Sequence, residues 1–414
     1  MSQQGVEVLD INLKALRESP AHWFDTLNRF RPDFLTAGNW NYLLVAAVAE
    51  PRLLRVPFPI AALWDDPLGA MVNHCMYRPE VWEEAEAEAA PKGVVYRVKA
   101  CLNGLRAWVD QRPNGNGDRL AAPAVFRRLT DHPDLHHFAW DTGHMDAFRR
   151  LGLAPAKRLH WRPVATYAPF LETGAVAETI PQTIDVAFCG NVYLASLQKS
   201  PYWQDPFFHD LAQRIADRRV RELHRSSWEL LLEETDRLPE KVRRAHQLTT
   251  DRKEFWTFYI FAVWQAANTL VRLQVLGGVR RPVHLFGMFA DPETVQQLDR
   301  YPNLHYQRNC DHFTELPRTF ASVKVNICLT NSLIIQGTPS KLIDCLASGG
   351  FALCEPKQDL VRLFGPRVEK IFFHSVEELN AKIDYYLAHA EERRALVEEF
   401  RETIARECTT RRLF

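Results

Sequence analysis

The chain has 414 residues, which is too long for one ordinary hydrophobic core and predicts two domains. Hydrophobic residues make up 46% and charged residues 25% of the sequence, as is typical of a soluble globular protein. Lysine plus arginine and aspartate plus glutamate number 51 each, so no overall charge favours binding to nucleic acid or to an anionic membrane.

The start of the chain and its cysteines indicate a cytoplasmic protein. The first ten residues, MSQQGVEVLD, have neither a basic start nor an apolar run, which argues against a signal peptide. The 8 cysteines form no CxxC pair, and several lie in apolar strands, so reduced thiols are expected. The one membrane-like stretch, Phe255–Leu276, contains five polar residues. It therefore predicts a buried or interface helix rather than a transmembrane segment.

The first half of the chain alternates strand-like and helix-like patterns, which predicts a parallel, doubly wound sheet. The predicted strands include Phe58–Trp64, Leu135–Trp140 and Leu159–Pro163. Two of these strands end in polar residues that could serve a cleft. These residues are Asp65 and Asp66 after the first strand, and Asp141 and His144 after the second.

A polar, weakly patterned segment, Glu172–Thr183, is the predicted linker between the domains. A strand follows at Ile184–Cys189, and the stretch from about 202 to 279 has a helical period with many charges. Sheet-like segments then resume, and the end of the chain, Val376–Phe414, is predicted to be helical. The resumed segments are Val283–Phe286, Leu304–Gln307, Lys324–Leu329, Phe351–Cys354 and Lys370–Phe373.

The segment Thr330–Glu355 has the pattern of a ligand-binding strand–loop–helix–strand unit. Its helix is predicted to begin at Thr338-Pro339-Ser340, with threonine as the N-cap and proline at the first helical position. The helix is predicted to end at Gly349-Gly350. Such a helix start lies at the carboxyl edge of a parallel sheet, where free N–H groups suit phosphate or sugar oxygens.

Several common motifs are absent from the sequence. There is no Gly-x-Gly-x-x-Gly, no Walker A loop and no Asp-x-Asp, which weighs against dinucleotide oxidoreductases, P-loop enzymes and metal-dependent single-sheet glycosyltransferases. One histidine-rich cluster could ligate a metal, but its spacings fit no common zinc pattern, and surface histidines are expected instead. Its members are His132, His136, His137, Asp141 and His144.

Part of the sequence resembles a known family. The run FTELPRTFASVKVNICLT, followed by GTPSKLIDCLASGGFALCEPKQDLVRLFG, resembles the C-terminal signature of GT-B-fold glycosyltransferases, in the group 1 branch that includes CgeB-like proteins. The segments IDVAFCGN and IAALWDDP and the closing helices resemble further parts of that family. The resemblance is good over about Asp311–Arg406 and patchy before it.

The resemblance implies two Rossmann-like domains that face a cleft. The stretch at about 202–279, which matches no part of the family, is predicted from its helical period to be an insertion. Residues 1–175 would bind the acceptor, residues 184–395 would bind a nucleotide-sugar, and the helix 396–414 would pack back on the first domain. The implied activity is transfer of a sugar from a nucleotide-diphospho-sugar to a protein, lipid or glycan acceptor, without a metal or cofactor. Partners among nucleic acids are not expected.

The family's paired donor-binding glutamates match Gln336 and Asp344, where an amide and a shorter carboxylate can still bond hydroxyls. The other residues that the resemblance implies for donor binding are Gly190, Asn191, Arg308, Gly337, Thr338, Ser340 and Lys341. An inverting enzyme would also need a general base, for which Asp66, Asp65 and His144 are the candidates. Asp66-Pro67 is equally typical of a turn, and a retaining enzyme would need no such base.

A second hypothesis is that the chain is a GT-B-shaped binding or scaffold protein without catalysis. The departures at Gln336 and Asp344 and the aromatic helix Phe255–Leu276 motivate it. A sugar-nucleotide epimerase is less favoured, because no second constellation of acidic and basic residues stands out.

Overall fold

The computed structural model describes residues 20–30, 35–37, 60–63, 132–150, 156–192, 197–198, 201–249, 255, 258–287 and 298–409. The candidate base residues Asp65 and Asp66 lie outside the described residues. The described part is a mixed α/β structure with two parallel sheets, which confirms the predicted fold class.

The strands of the described part are β1 Leu35–Ala37, β2 Ile60–Leu63, β3 Leu135–Ala139, β4 Leu159–Trp161, β5 Ile184–Cys189, β6 Val283–Phe286, β7 Leu304–Arg308, β8 Val323–Cys328 and β9 Ala352–Cys354.

The α-helices of the described part are α1 Pro20–Phe30, α2 Thr142–Arg150, α3 Ala168–Ala175, α4 Pro201–Gln204, α5 Pro206–Arg221, α6 Ser227–Asp236, α7 Glu240–Ala245, α8 Trp264–Ala266, α9 Arg272–Gly277, α10 Leu316–Ala321, α11 Ser340–Ala347, α12 Gln358–Phe364, α13 Val376–Ala388 and α14 Ala390–Glu407. Two π-helical segments, Tyr259–Val263 and Ala267–Val271, join α8 and α9 into one helical run at 259–277.

The chain forms two compact units, and it crosses between them several times. Among the described residues, those up to Ala139, those of 145–161, and Phe255 belong to the first unit. Residues 140–144, 162–249 and those from 258 onward belong to the second. The first turn of α2 is therefore part of the second unit, while the rest of that helix is part of the first.

The sheet of the first unit has the order β1-β2-β3-β4, and each pairing is parallel. Ile60 on β2 lies beside Leu35 on one side and Leu135 on the other. Residues of β3 alternate between buried and half-buried, which is the expected pattern for a strand with one face against the core.

The sheet of the second unit has the order β7-β6-β5-β8-β9, again with parallel pairings only. Its central strands are almost wholly apolar and buried, as in parallel sheets covered by helices on both faces. The hydrophobic core of this unit extends to α14, where Leu396 and Phe400 are buried.

Most strands of the second unit agree with the sequence predictions. β5 and β6 have the predicted bounds, β7 and β9 differ from theirs by one residue at one end, and β8 is shifted by one residue at both ends. The predicted strand Lys370–Phe373 is wrong. A 3₁₀ helix, Pro366–Ile371, occupies its first two residues, and a single bridge joins Phe372 to Cys354. The apolar residues of this segment pack beside the edge strand β9. They form a short apolar run, which is the same sequence pattern that a buried strand shows.

The helical run 259–277 is buried in the second unit, as predicted. Tyr259, Val263, Ala266 and Val275 are each fully enclosed. No helix in the described part of the chain is long and apolar enough to cross a membrane.

Candidate functional site

The strand order of the second sheet defines a crevice at its carboxyl edge. From β5 the chain builds outward through β6 to β7, and then it continues on the other side of β5 with β8 and β9. Ligands of open α/β sheets bind where the order reverses in this way, outside the carboxyl ends of the two central strands. The residues that follow β5 and β8 at this point are Gly190-Asn191 and Leu329-Thr330.

Two glycines bring backbone segments close together on one side of this crevice. The Gly190 N–H donates to the Phe286 carbonyl oxygen at 2.8 Å. Gly287 has a φ of +150°, and a Cβ added there would lie 2.2 Å from the Gly190 carbonyl oxygen. Glycine is required at such a position, since any side chain would push the ends of β5 and β6 apart.

Two cations lie together at the crevice, Lys341 in the first turn of α11 and Arg272 in α9. The Lys341 Nζ lies 3.1 Å from the point where a Gly190 side chain would begin. Arg272 is buried, donates to the Asn191 carbonyl oxygen at 2.6 Å, and lies 5.7 Å from the centre of the Phe188 ring. Burial, and then repulsion by Arg272, lower the pKa of Lys341 to about 8.

The amine of Lys341 makes no ion pair or hydrogen bond within the described part of the chain. A desolvated ammonium without a partner is costly, and a second cation beside it raises that cost. A ligand that carries two negative charges would relieve both effects. The arrangement therefore suits a dianion such as a diphosphate.

Asp344 lies one turn after Lys341 on α11 and is buried. Its Oδ1 accepts a hydrogen bond from the Thr166 hydroxyl at 2.7 Å. Burial raises the pKa of the Asp344 carboxyl to about 6, against the opposing effects of the Thr166 hydrogen bond and the Lys341 charge.

The start of α11 differs from the prediction. Pro339, not Thr338, occupies the N-cap, and no side chain caps the helix. Thr338 is buried, and its hydroxyl accepts a hydrogen bond from the Val164 N–H at 3.3 Å. A contact from a segment far away in sequence therefore competes with the local capping preference of threonine. Ser340 is the exposed first residue of the helix.

The end of α11 agrees with the prediction. Gly349 has a left-handed φ of +82°. Its N–H donates to the Leu346 carbonyl oxygen at 3.1 Å, and the Gly350 N–H donates to that of Cys345 at 3.0 Å. This pair of bonds is the Schellman motif, which favours glycine at the left-handed position.

The loop between β8 and α11 is held by buried side chains from two other segments. Asp141 accepts hydrogen bonds from the backbone N–H groups of Ile335 at 2.7 Å and Gln336 at 3.0 Å. The buried Lys357 donates to the Ile335 carbonyl oxygen at 3.2 Å, and burial lowers its pKa to about 8. The loop that leads to Lys341 is thus fixed before any ligand binds.

The helical run 259–277 contacts both sides of the crevice. Asn268 Oδ1 accepts hydrogen bonds from the N–H of Ser332 at 3.1 Å and from its hydroxyl at 3.3 Å. Trp264 Nε1 donates to Asn331 Oδ1 at 2.8 Å. One turn beyond Asn268, Arg272 holds the carbonyl of Asn191 on the other side.

The sequence predicted a buried helix here but no role for it at the site. The polar residues within its apolar run were a signal that could have indicated such a role. The π-helical segments fit this location, since they occur frequently at functional sites.

We expect Asn268→Ala to weaken ligand binding at the crevice more than it weakens the fold. The change removes the acceptor of two bonds to Ser332 and leaves its buried N–H unsatisfied, at a cost of about 1–3 kcal/mol. Titration calorimetry with nucleoside diphosphates, alongside urea unfolding, separates the two effects. Gln213→Ala, which removes a side-chain bond to Asp217 on α5, is the control. Unchanged affinity in Asn268→Ala would contradict a positioning role for this helix.

The histidine-rich cluster is not on the surface, so that expectation is wrong for most of its members. His132, His137 and His144 are buried, and His136 is half-buried with its Nδ1 2.9 Å from His160 Nε2. Burial lowers the pKa of His137 to about 3. Among the residues described, no group of three or more His, Cys, Asp or Glu side chains is arranged to hold a metal ion.

His144, a candidate base, has both ring nitrogens facing protein groups. Nε2 donates to the Leu333 carbonyl oxygen at 2.9 Å, and Nδ1 lies 3.6 Å from Asp141 Oδ2. These contacts make His144 part of the network that holds the loop before α11.

The remaining predicted donor-binding residues lie in different surroundings. Arg308 is exposed at the end of β7 and pairs with Glu315. Gln336 lines a groove of about 680 Å³, where its Oε1 accepts from the Gln358 N–H at 3.4 Å. Gly337 is packed so closely on Asp141 that an added Cβ would lie 2.7 Å from that side chain.

Comparison with protein families finds a match to the C-terminal part of the chain, which carries part of this site. Residues 264–413 match the family model described as glycosyl transferase-like. The match begins in the helical run 259–277 and includes Arg272, Lys341 and Asp344. It is a match to the wider family, and the CgeB-like branch stays a prediction. No curated protein matches the chain significantly.

Comparison with solved structures finds several that align with most of this chain at low identity. HepE of Anabaena in complex with UDP-glucose is 11% identical, with a TM-score of 0.43 over 98% of this chain and 82% of that one. Sucrose-phosphate synthase of Thermosynechococcus elongatus is 10% identical, with a TM-score of 0.45 over 98% and 78%. A glycosyltransferase of Rickettsia africae is 6% identical, with a TM-score of 0.42 over 99% and 81%.

Proposed function

We propose that this protein is a glycosyltransferase that moves a sugar from a nucleotide-diphospho-sugar to an acceptor. The observation that carries the proposal is that two cations, the half-buried Lys341 and the buried Arg272, lie together at the switch point of a parallel sheet. The family match of residues 264–413 supports it independently. The proposal includes the GT-B arrangement, a cytoplasmic location, and a protein, lipid or glycan as the acceptor.

The proposed chemistry is substitution at the anomeric carbon of the donor. The bond from that carbon to the phosphate oxygen breaks, the bond to an acceptor oxygen forms, and the nucleoside diphosphate leaves with added negative charge. Lys341, Arg272 and the N–H groups at the start of α11 would stabilise that charge. Since two fixed cations already serve the leaving group, we propose that the reaction needs no metal. For an inverting reaction, we propose Asp65 or Asp66 as the base, because both His144 nitrogens face protein groups.

A thermal-shift and calorimetric screen against UDP, GDP, ADP and dTDP tests the proposal. We expect stabilisation by at least one of these nucleotides, and slow hydrolysis of the corresponding nucleotide-sugar. Absence of both responses would overturn the proposed function in favour of a scaffold. One observation favours the second hypothesis, a binding or scaffold protein: the side chains of Gln336 and Thr338 already bond protein groups.

The affinity for the nucleoside diphosphate should fall as the pH rises through about 8. Since the pKa of Lys341 in the free protein is lowered to about 8, its charged form is lost above that pH. If binding requires the ammonium, the dissociation constant increases about tenfold per pH unit beyond this point. Calorimetry between pH 7 and 9.5 measures the effect. The loss of affinity above pH 8 should be absent in Lys341→Met. If this loss persists in that variant, Lys341 is not its source.

A further inference from the structure

A short segment between β4 and α3, residues 164–166, runs along α11. At one end the Val164 N–H donates to Thr338 just before the helix, at 3.3 Å. At the other end the Thr166 hydroxyl donates to Asp344 Oδ1 within the helix, at 2.7 Å. The Thr166 N–H also donates to the Cys408 carbonyl oxygen, at 2.8 Å. Thr166 is therefore fixed by its backbone and presents its hydroxyl to one carboxylate.

The bond between Thr166 and Asp344 is enclosed, since the two residues are 2% and 3% exposed. A hydroxyl that donates to a buried carboxylate forms one of the stronger hydrogen bonds in proteins. It uses only Oδ1, and within the described residues Oδ2 of Asp344 has no hydrogen-bond partner. A buried carboxylate with one oxygen free, a turn away from an unpaired ammonium, has the character of a ligand-binding group rather than a purely structural one.

We infer that Thr166 is a positioning residue for donor binding, which keeps the Asp344 carboxylate ionised and turned so that Oδ2 accepts a hydrogen bond from a hydroxyl of the donor. This inference rests on the proposed function. Thr166 itself does not touch the ligand; it acts through Asp344.

The groups that face Asp344 determine how its charge depends on pH. On α11 these are the ammonium of Lys341, which favours the ionised carboxyl, and the thiol of Cys345. From β8 the thiol of Cys328 faces it, and burial raises the pKa of that thiol to about 12, so it stays neutral. From the segment before α3 only the Thr166 hydroxyl bonds the carboxyl. With burial opposing ionisation, the pKa of Asp344 is about 6, and loss of the hydroxyl would raise it further.

The test is the pH dependence of nucleoside diphosphate affinity between pH 5 and 8, using the nucleotide that binds best among UDP, GDP, ADP and dTDP. In the unaltered protein, affinity should fall as the pH decreases through about 6, where Asp344 takes up a proton. This fall in affinity is the acid limb of the pH profile. In Thr166→Val the acid limb should move to higher pH by about one unit or more. Thr166→Ser keeps the hydroxyl and should restore the original limb. A purely structural role would change affinity at every pH and leave the limb in place.

Thr179→Val is the matched control, because its hydroxyl bonds a backbone carbonyl of the 3₁₀ turn that follows α3. Asp344→Asn provides a second measurement should Thr166→Val fold poorly. It should leave only the weaker fall in affinity that comes from protonation of the nucleotide's own terminal phosphate, and an acid limb unchanged from that of the unaltered protein would overturn the inference. An unshifted limb in a folded Thr166→Val would also overturn it, while leaving the proposed function intact. Failure of the unaltered protein to bind any of the four nucleotides would instead overturn the proposed function, and the inference with it.

Discussion

Lys341→Ala should weaken nucleoside diphosphate binding by about 10- to 150-fold, and it should remove sugar transfer. A hydrogen bond to a charged group contributes about 1.5–3 kcal/mol, and every 1.4 kcal/mol is a factor of ten in affinity. The effect on transfer should be larger than the effect on binding, since the leaving group gains charge in the transition state.

The same substitution should leave the fold intact or make it more stable. Lys341 makes no ion pair or hydrogen bond in the described part of the chain, so its removal breaks no such bond and relieves the repulsion from Arg272. Asp344 loses a favourable charge and takes up a proton more readily. Lys324→Ala is the control, because Lys324 lies near the start of β8 and pairs with Asp185 at the partly exposed surface. Steady-state kinetics and calorimetry measure the outcome. Wild-type kinetics in Lys341→Ala would contradict the assignment of the site.

Asp141→Ala should destabilise the second unit by about 3 kcal/mol or more, given that each unsatisfied buried donor costs about 1–3 kcal/mol. Asp141 is fully buried and accepts bonds from the N–H groups of Gly143, His144, Ile335 and Gln336. The structure therefore gives Asp141 a structural role, although its position after β3 also suited catalysis or metal binding.

Urea unfolding followed by circular dichroism measures the loss. The free energy of unfolding of Asp141→Asn should lie between those of the unaltered protein and Asp141→Ala, because the amide keeps one acceptor oxygen. The control is Asp185→Ala, which removes only the exposed partner of Lys324 and should cost about 1 kcal/mol or less. A free energy of unfolding within about 0.5 kcal/mol of the unaltered protein would contradict the role given to Asp141.

Local patterns predicted the elements whose causes are local. The apolar runs at Ile184–Cys189 and Val283–Phe286 gave exact strand bounds, and the double glycine gave the end of α11. The pattern at Lys370–Phe373 misled, because a 3₁₀ turn that covers an edge strand buries the same kinds of side chain as a strand does.

The site was predictable only in outline. Lys341 and Asp344 could be selected from the sequence, and both lie at the switch point crevice or one turn from it. The roles of Thr166, Asn268 and Arg272 could not, because each depends on a partner far along the chain: Asp344, Ser332 and Asn191. Capping propensity likewise suggested Thr338, and a bond from Val164 redirected its hydroxyl. Residue type and spacing do not encode such long-range pairings.

The interlaced path of the chain has a consequence for protein engineering. Residues 140–144 and 162–166 precede β5, yet they supply Asp141 and Thr166 to the second unit. A fragment that started at β5 would lack both, and it would leave the amides of Ile335 and Gln336 buried without acceptors. Exchange of the second unit between related proteins should therefore transplant these two segments together with everything from β5 onward. A single crossover at the predicted linker Glu172–Thr183 would separate the loop before α11 from the side chains that hold it.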